Sequence, residues 1–286
     1  MAPSGVSEVN ACLFVVATPI GNLGDMTSRA LETLRQVDLI AAEDTRHSAR
    51  LMRHFHIDTP LVSYHDHSKA SDVLALLGHL RAGRSLALIS DAGTPLVSDP
   101  GYRLVAACHT ENIPVVPVPG ASALTAALSA SGLPTDRFHF EGFLPAKSGQ
   151  RSARLASLQY LESTLVFFES PRRLPESLMA LLEVFGDRDA ALCRELTKAH
   201  ETIRRDRLSG LGDFVKGDAQ QLRGEAVLVV RGYELSSTMP TPEALVLLER
   251  LAQELPPRRA AAVAADITGG SARALYDWLL EKKQDS

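Results

Sequence analysis

Apolar and polar positions along the first 120 residues follow two alternating rhythms. Short apolar runs, CLFVVA at Cys12, VDLIAA at Val37, PLVSYH at Pro60, SLALIS at Ser85 and IPVVPV at Ile113, read as strands. Between them TSRALETLRQ, TRHSARLMRHF, SDVLALLGHLRAG and DPGYRLVAACHTEN space their apolar residues three or four apart, the period of an amphipathic helix. Strand and helix in alternation predict an α/β fold, a parallel sheet with helices on its faces. The DPG that opens the last of these segments predicts Asp99 as helix cap and Pro100 at the first helical position.

Past Pro119 the texture changes. ASALTAALSASG reads as a helix leading into the strand-like runs RFHFEGF, TLVFFES, DAALCREL and EAVLVVRGY, with helical stretches around Leu155 and Leu178. The Ser/Thr/Pro stretch ELSSTMPTP then separates three short helical segments, the last two joined by Thr-Gly-Gly. The expected organisation is a loose tail over 1–10, an α/β domain over 11–119, a second α/β domain over 120–234 and a helical extension over 241–286.

Composition narrows the class. A chain of 286 residues is long enough for two cores, and three widely spaced cysteines in apolar runs fit neither a disulfide framework nor a zinc site. A reducing, cytoplasmic setting is expected. The longest early apolar run, Ala11 to Ala17, is too short to span a bilayer, so no membrane is expected. The pairs His54/His56 and His65/His67 resemble metal ligands but have no third ligand at a suitable spacing, and no metal is expected. A net charge of −4, and six Lys or Arg against seven Asp or Glu over 241–286, argue against a DNA reader despite the helix-turn-helix look of the C-terminal segments.

The stretch LISDAGTPLVSDPG, from Leu88 to Gly101, stands where a parallel strand ends, the place where open α/β sheets hold ligands. Neither it nor ATPIGNLGD at Ala17 carries the GxGxxG or GK[ST] pattern of a phosphate cradle. Asp91 at a strand end suits a ligand with hydroxyl, ammonium or sulfonium groups. The alternative is that Asp99, Pro95 and Gly93 only shape a turn and a cap.

Five stretches together resemble a known family: TPIGNLGDMTSRAL at Thr18, DLIAAEDTRHS at Asp38, SDAGTPLVSDPGY at Ser90, VPVPGASALTAALSASGLPTDRFHFEGFLPAK at Val116 and ESPRRL at Glu169. They are similar to the 16S ribosomal RNA cytidine 2'-O-ribose methyltransferases of the small subunit, in the tetrapyrrole (corrin/porphyrin) methylase superfamily. The resemblance runs from about Leu13 to Tyr233 and, more loosely, through the C-terminal helices. It implies a two-domain methylase with a parallel first sheet and a mixed second sheet, usually homodimeric. S-adenosylmethionine would lie between the domains and the small ribosomal subunit would be the partner. Donor contacts implied by motif are Thr18, Pro19, Ile20 and Gly21, Asp91, Ala92, Gly93 and Thr94, Gly120, Ala121, Ser122 and Ala123, Phe143 and Leu144, and Gly224, Glu225 and Ala226.

Methyl transfer to a ribose hydroxyl needs alignment and a group to take a proton from a weakly acidic alcohol. Carboxylates and imidazoles expected near strand ends are Glu43 and Asp44, His65 and Asp66, and Glu169, Glu195 and Glu201; the pattern does not choose among them. Arg46, Lys147, Arg151, Arg172, Arg194 and Lys198 are candidate RNA phosphate contacts, with a solvated surface position the alternative for each. Two rival readings stand beside this one. A corrin-like small-molecule methylase of the same fold would need an open apolar cleft, and a non-catalytic ribosome- or RNA-binding module would need no donor pocket.

Overall fold

The computed structural model describes residues 11–65, 68–234 and 240–284; the expected tail over 1–10 lies outside them, as do Asp66 and His67. The first sheet contains β1 (Leu13–Val16), β2 (Leu39–Ala42), β3 (Leu61–Ser63), β4 (Leu86–Ile89) and β5 (Val115–Val118) in the order β3-β2-β4-β1-β5. All its pairings are parallel, with Leu13 in register with both Leu86 and Val115. The crossovers are α1 (Ser28–Gln36), α2 (Thr45–His54), α3 (Ala70–Arg81) and α4 (Tyr102–Thr110). β2 and β4 are buried along their whole length, which is why their sequences show no polar alternation.

The side chains of these strands divide between two cores. Leu13, Leu39, Leu86 and Leu88 pack with Leu76, Leu77 and Leu80 of α3 and Leu104 of α4. Val16, Ile40, Ala87 and Ile89 pack on the other face with Ala30 and Leu34 of α1 and Met52 of α2. The neighbouring strands β1 and β4 therefore send their chains to opposite faces, one into α1 and the other into α4. Their C-terminal ends frame the crevice where an open parallel sheet accepts a ligand.

One expectation fails here. The cap of α4 is Gly101, at φ 145, rather than Asp99, and the helix begins at Tyr102. Leu96 and Ser98 both hold positive φ, at 72 and 66, so the chain loops outward before it can wind into a helix. Gly101 is required at its position because a β-carbon would collide with Leu88 and Leu96.

After α5 (Ala123–Ser131) the second sheet forms from β6 (Phe138–Phe143), β7 (Thr164–Glu169), β8 (Asp189–Arg194), β9 (Thr202–Arg207) and β10 (Ala226–Val230). Its order is β6-β7-β10-β8-β9, with β6 and β7 parallel and the other pairs antiparallel, a mixed sheet. α6 (Ser148–Leu158), α7 (Leu174–Phe185) and α8 (Leu208–Gly217) cover one face. The other packs α5 and receives Ile20 from the loop after β1, so the first domain contributes directly to the second domain's core. Beyond Pro240, α9 (Pro242–Glu254), α10 (Pro257–Thr268) and α11 (Ala272–Gln284) share their own core of Ala244, Leu248, Ala260, Ala261, Ala264, Leu275 and Leu279. The alanine-rich face of α10 lets the three helices approach closely. Among the described residues no helix is long and apolar enough to cross a membrane.

Candidate functional site

A cavity of about 440 Å³ opens at the crevice between the two sheets, within the range of roughly 300–1,000 Å³ common for small-ligand sites. The first domain supplies Ile20 after β1, Glu43 after β2 and the segment Asp91–Thr94 with Val97, Ser98 and Asp99 after β4. Ser122 and Ala123 enter at the start of α5. The second domain closes it with Phe143, Phe168 to Pro171, Cys193, Leu196 and Gly224 to Val227.

The loops that meet here are tied together by backbone. Thr18 and Gly93 exchange hydrogen bonds of 2.8 and 3.0 Å, Thr18 Oγ1 donates to the Ser90 carbonyl at 3.2 Å, and Thr94 Oγ1 donates to the Ala121 carbonyl at 3.1 Å. Asp91 Oδ1 accepts the Asp44 N–H at 3.1 Å, while the Asp91 N–H points to Glu43 Oε2 at 3.5 Å. The ends of β2 and β4 thus hold each other through their acids.

The donor-contact expectations divide on this geometry. Ile20, Asp91, Ala92, Gly93, Thr94, Ser122, Ala123, Phe143, Gly224, Glu225 and Ala226 line the cavity. Thr18 and Leu144 are buried, and Gly120 packs toward Ala17. Pro19, Gly21 and Ala121 stand in the same loops without lining it, and the Lys198 side chain lies over Gly21.

Among the described first-domain acids and imidazoles proposed for proton transfer, Glu43 alone lines the cavity. Asp44 caps α2: its carboxylate accepts the Arg46 N–H at 2.8 Å and pairs with the Arg46 guanidinium at 3.0 Å. Those contacts hold its carboxyl down at about 2. His65 follows the edge strand β3, where its N–H donates to Ser68 Oγ at 2.9 Å; Asp66 lies outside the described residues.

In the second domain Glu169 forms part of the cavity wall yet is 2 % exposed. Its carboxylate accepts Ser177 Oγ–H at 2.5 Å and the Ser170 N–H at 2.8 Å, and faces Arg173 Nε at 3.4 Å. Arg173 in turn donates to the carbonyls of Leu144 at 2.6 Å and Pro145 at 3.2 Å. A β-bulge between Phe140 and Gly142 shifts the register ahead of that segment, so that Phe143 pairs with Phe168 and its ring stands edge-on to the Phe168 ring. Glu169 therefore props the aromatic wall.

At the rim Lys198 bridges Glu195 at 2.8 Å and Glu225 at 3.0 Å. Burial opposes both charges, but the hydrogen bonds outweigh it, holding the Glu195 carboxyl below and the Lys198 ammonium above their ordinary values. Glu201 accepts the Thr197 N–H at 2.7 Å and does not line the cavity.

The candidate phosphate contacts also divide. Arg194 is 6 % exposed, its guanidinium donating to Gln221, Arg223, His200 and Thr202; Arg151 is 5 % exposed and faces Ala146 and Glu176. Both brace the second domain from inside and present no charge at the surface. Arg46, Lys147 and Arg172 are exposed. Sequence reasoning passed over Val97, Ser98, Phe168, Ser170, Pro171, Cys193, Leu196 and Val227 as lining residues. For the second-domain members the available signal was that they stand at or beside the ends of predicted strands.

Residues 12–212 match the family model of tetrapyrrole (corrin/porphyrin) methylases. The chain belongs to the tetrapyrrole methylase family. Residues 238–283 match a second model, described as the RsmI C-terminal HTH domain. The chain is 52 % identical over 277 residues to the ribosomal RNA small subunit methyltransferase I of Pseudomonas aeruginosa, covering 96 % of this chain and 98 % of that one. To the protein of the same name from Vibrio cholerae it is 49 % identical, covering 94 % of each. Solved structures share the fold at low identity. The uroporphyrin-III-C-methyltransferase from Thermus thermophilus aligns with a TM-score of 0.55 at 24 % identity, over 77 % of this chain and 94 % of that one. A diphthine synthase aligns with a TM-score of 0.58 at 17 % identity, over 79 % and 91 %.

Proposed function

We propose that this tetrapyrrole methylase family member transfers a methyl group from S-adenosylmethionine to the ribose 2'-hydroxyl of a cytidine in 16S ribosomal RNA, within an assembled or nearly assembled small subunit. The observation that carries the reading is the cavity at the β1/β4 crevice, closed by the second sheet and lined by the carboxylates of Glu43 after β2 and Asp91 after β4. Relatives at about half identity bear the ribosomal RNA methyltransferase name along nearly their whole length, whereas the tetrapyrrole and diphthine enzymes support the fold alone.

The cavity suits that donor. Ile20, Phe143, Phe168 and Leu196 offer apolar surface for an adenosine ring, and Asp91 offers a carboxylate for hydroxyl, ammonium or sulfonium groups. Gly93, at φ 85 with Ile20 against it, and Gly224, at φ 83 with the Glu195 carboxylate against it, form cavity wall from backbone at positions where a β-carbon would be strained. When bound, the donor supplies an electrophilic methyl on a positively charged sulfur. The protein's part is to hold both reactants in line and to accept the hydroxyl proton. Glu43 is the acceptor this geometry favours, because it lines the cavity while Asp44 is committed to α2. The apolar wall limits competing water, and the Glu169–Arg173 pair keeps Phe143 in place.

A net charge of −4 gives a weak general attraction to phosphates, so a folded substrate surface must supply much of the recognition. We place the enzyme in the cytoplasm as a homodimer, in line with the family resemblance. Labelled donor offered at matched salt to protein-free ribosomal RNA and to small subunits from cells lacking the gene tests the reading. Methylation of a cytidine ribose on the subunits is expected; equal or better methylation of the free RNA would refute the assembled substrate, and none on either would refute the activity.

A further inference from the structure

The exposed positions of α2 are all arginine or histidine. Arg46, Arg50 and Arg53 stand at i, i+4 and i+7, with His47 and His54 beside them, and all five are exposed. The opposite face is ordinary core: Ser48 and Met52 are buried, with Leu51 and Phe55 packed against the same cluster. From Thr45 to Ile57 there is no Asp or Glu, so the row lacks the interleaved acids by which a solvated helix gains i, i+4 support. Two of its members have a local reason: Arg46 pairs with the cap Asp44, and Arg53 suits the negative end of the helix. Arg50, mid-helix, has neither.

The row also starts beside the cavity. Glu43 lines the cavity, Asp44 caps α2, and Arg46 stands in the first turn. From there the arginines extend outward over about 10 Å of helix axis. In a chain of net charge −4 this is a compact cationic track leading away from the reactive cleft.

We propose that the Arg46–Arg50–Arg53 face of α2 docks the phosphodiester backbone of RNA flanking the methylated nucleotide; this rests on the RNA methyltransferase reading above. Each guanidinium offers a planar fork that matches a phosphate bidentately. Contacts of this kind set register without reading sequence. A grip concentrated beside the cleft lets an acidic enzyme hold the substrate strand where the hydroxyl must be aligned.

The test compares the full-length protein with Arg50→Ala combined with Arg53→Ala. The control is Arg84→Ala, an exposed site just before β4, at the end of the first sheet away from the cavity. Alanine favours the helix, and thermal melts check that each variant is folded. For the double variant, KM for undermethylated small subunits is expected to rise on the order of tenfold, and its log–log salt dependence to flatten by about 1.5. Donor affinity by calorimetry and kcat at saturating subunits are expected to stay at wild-type values, with Arg84→Ala indistinguishable from wild type. Wild-type KM and salt slope in the double variant overturn the proposal. So does an equal loss in Arg84→Ala, which marks a diffuse charge effect, or a loss with unchanged salt slope, which marks contact with a ribosomal protein. A wild-type enzyme inactive on subunits refutes the functional reading and takes this inference with it, an outcome visible in the wild-type arm alone.

Discussion

The carboxylate of Asp91 accepts the backbone N–H of Asp44 across 3.1 Å, joining the ends of two neighbouring parallel strands at the cavity wall. Asp91 therefore has a structural oxygen, Oδ1, as well as a charge facing the ligand space. Asp91→Asn can keep an oxygen for Asp44 while losing the charge; Asp91→Ala loses both. Donor affinity measured by calorimetry is expected to fall by about 1.5–3 kcal/mol in Asp91→Ala, the worth of a charge-assisted hydrogen bond, with Asn retaining more of the thermal stability. Unchanged affinity in both variants would remove Asp91 from the donor site.

Glu43 and Asp44 are adjacent, yet only Glu43 lines the cavity. Glu43→Gln is expected to lower kcat by roughly 10² to 10⁴ with donor affinity intact, the size of a lost general base. Asp44→Ala is expected to lower the melting temperature through the lost helix cap, with a much smaller loss of turnover than Glu43→Gln. Single-turnover methylation and thermal melts separate the two effects; full activity in Glu43→Gln would move the proton acceptor elsewhere.

Asp44 also makes stability depend on acid. Its folded carboxyl sits at about 2, below the ordinary 3.8, because of Arg46. The stabilisation is fully present above about 3.8 and is lost as pH falls toward 2. The melting-temperature gap between wild type and Asp44→Asn is expected to be constant near neutrality and to shrink across that window. A gap that persists at the acid end would show that the cap works without its charge.

Gly224 lines the cavity at φ 83, with its open side against the Glu195 carboxylate. Alanine there meets left-handed strain of roughly 1–2 kcal/mol and must displace Glu195, which also holds Lys198. Gly224→Ala is expected to melt lower and to bind donor more weakly. Wild-type affinity in a folded variant would show that this wall does not touch the donor.

Glu169→Gln leaves Arg173 without its buried counter-charge while an amide oxygen can still accept from Ser177. A loss on the order of 1–3 kcal/mol in denaturant unfolding is expected, together with weaker donor binding as the Phe143 segment loosens. Glu169→Asp should restore part of both. Normal binding alongside reduced stability would confine the pair to the core.

Much of the first domain is legible in the sequence, because LIAA of β2 and LALI of β4 are buried on both faces and so read as unbroken apolar runs, with helical spacing between the strands. The motif string from Ser90 to Tyr102 likewise marks a strand end where a ligand belongs. What tertiary structure alone decided depends on partners distant in sequence. Asp99 has the local look of a cap, but Gly101, seated against Leu88 and Leu96, delays the helix. Arg194 reads as a surface cation until Gln221, 27 residues away, accepts its Nε–H inside the second domain. The pairing of β10 between β7 and β8 is set by long-range packing that no local pattern encodes. The different placements of Glu43 and Asp44 have the same origin. Two neighbouring carboxylates share one local pattern, and the packing of α2 against β2 and β4 leaves one capping the helix and the other at the cavity wall.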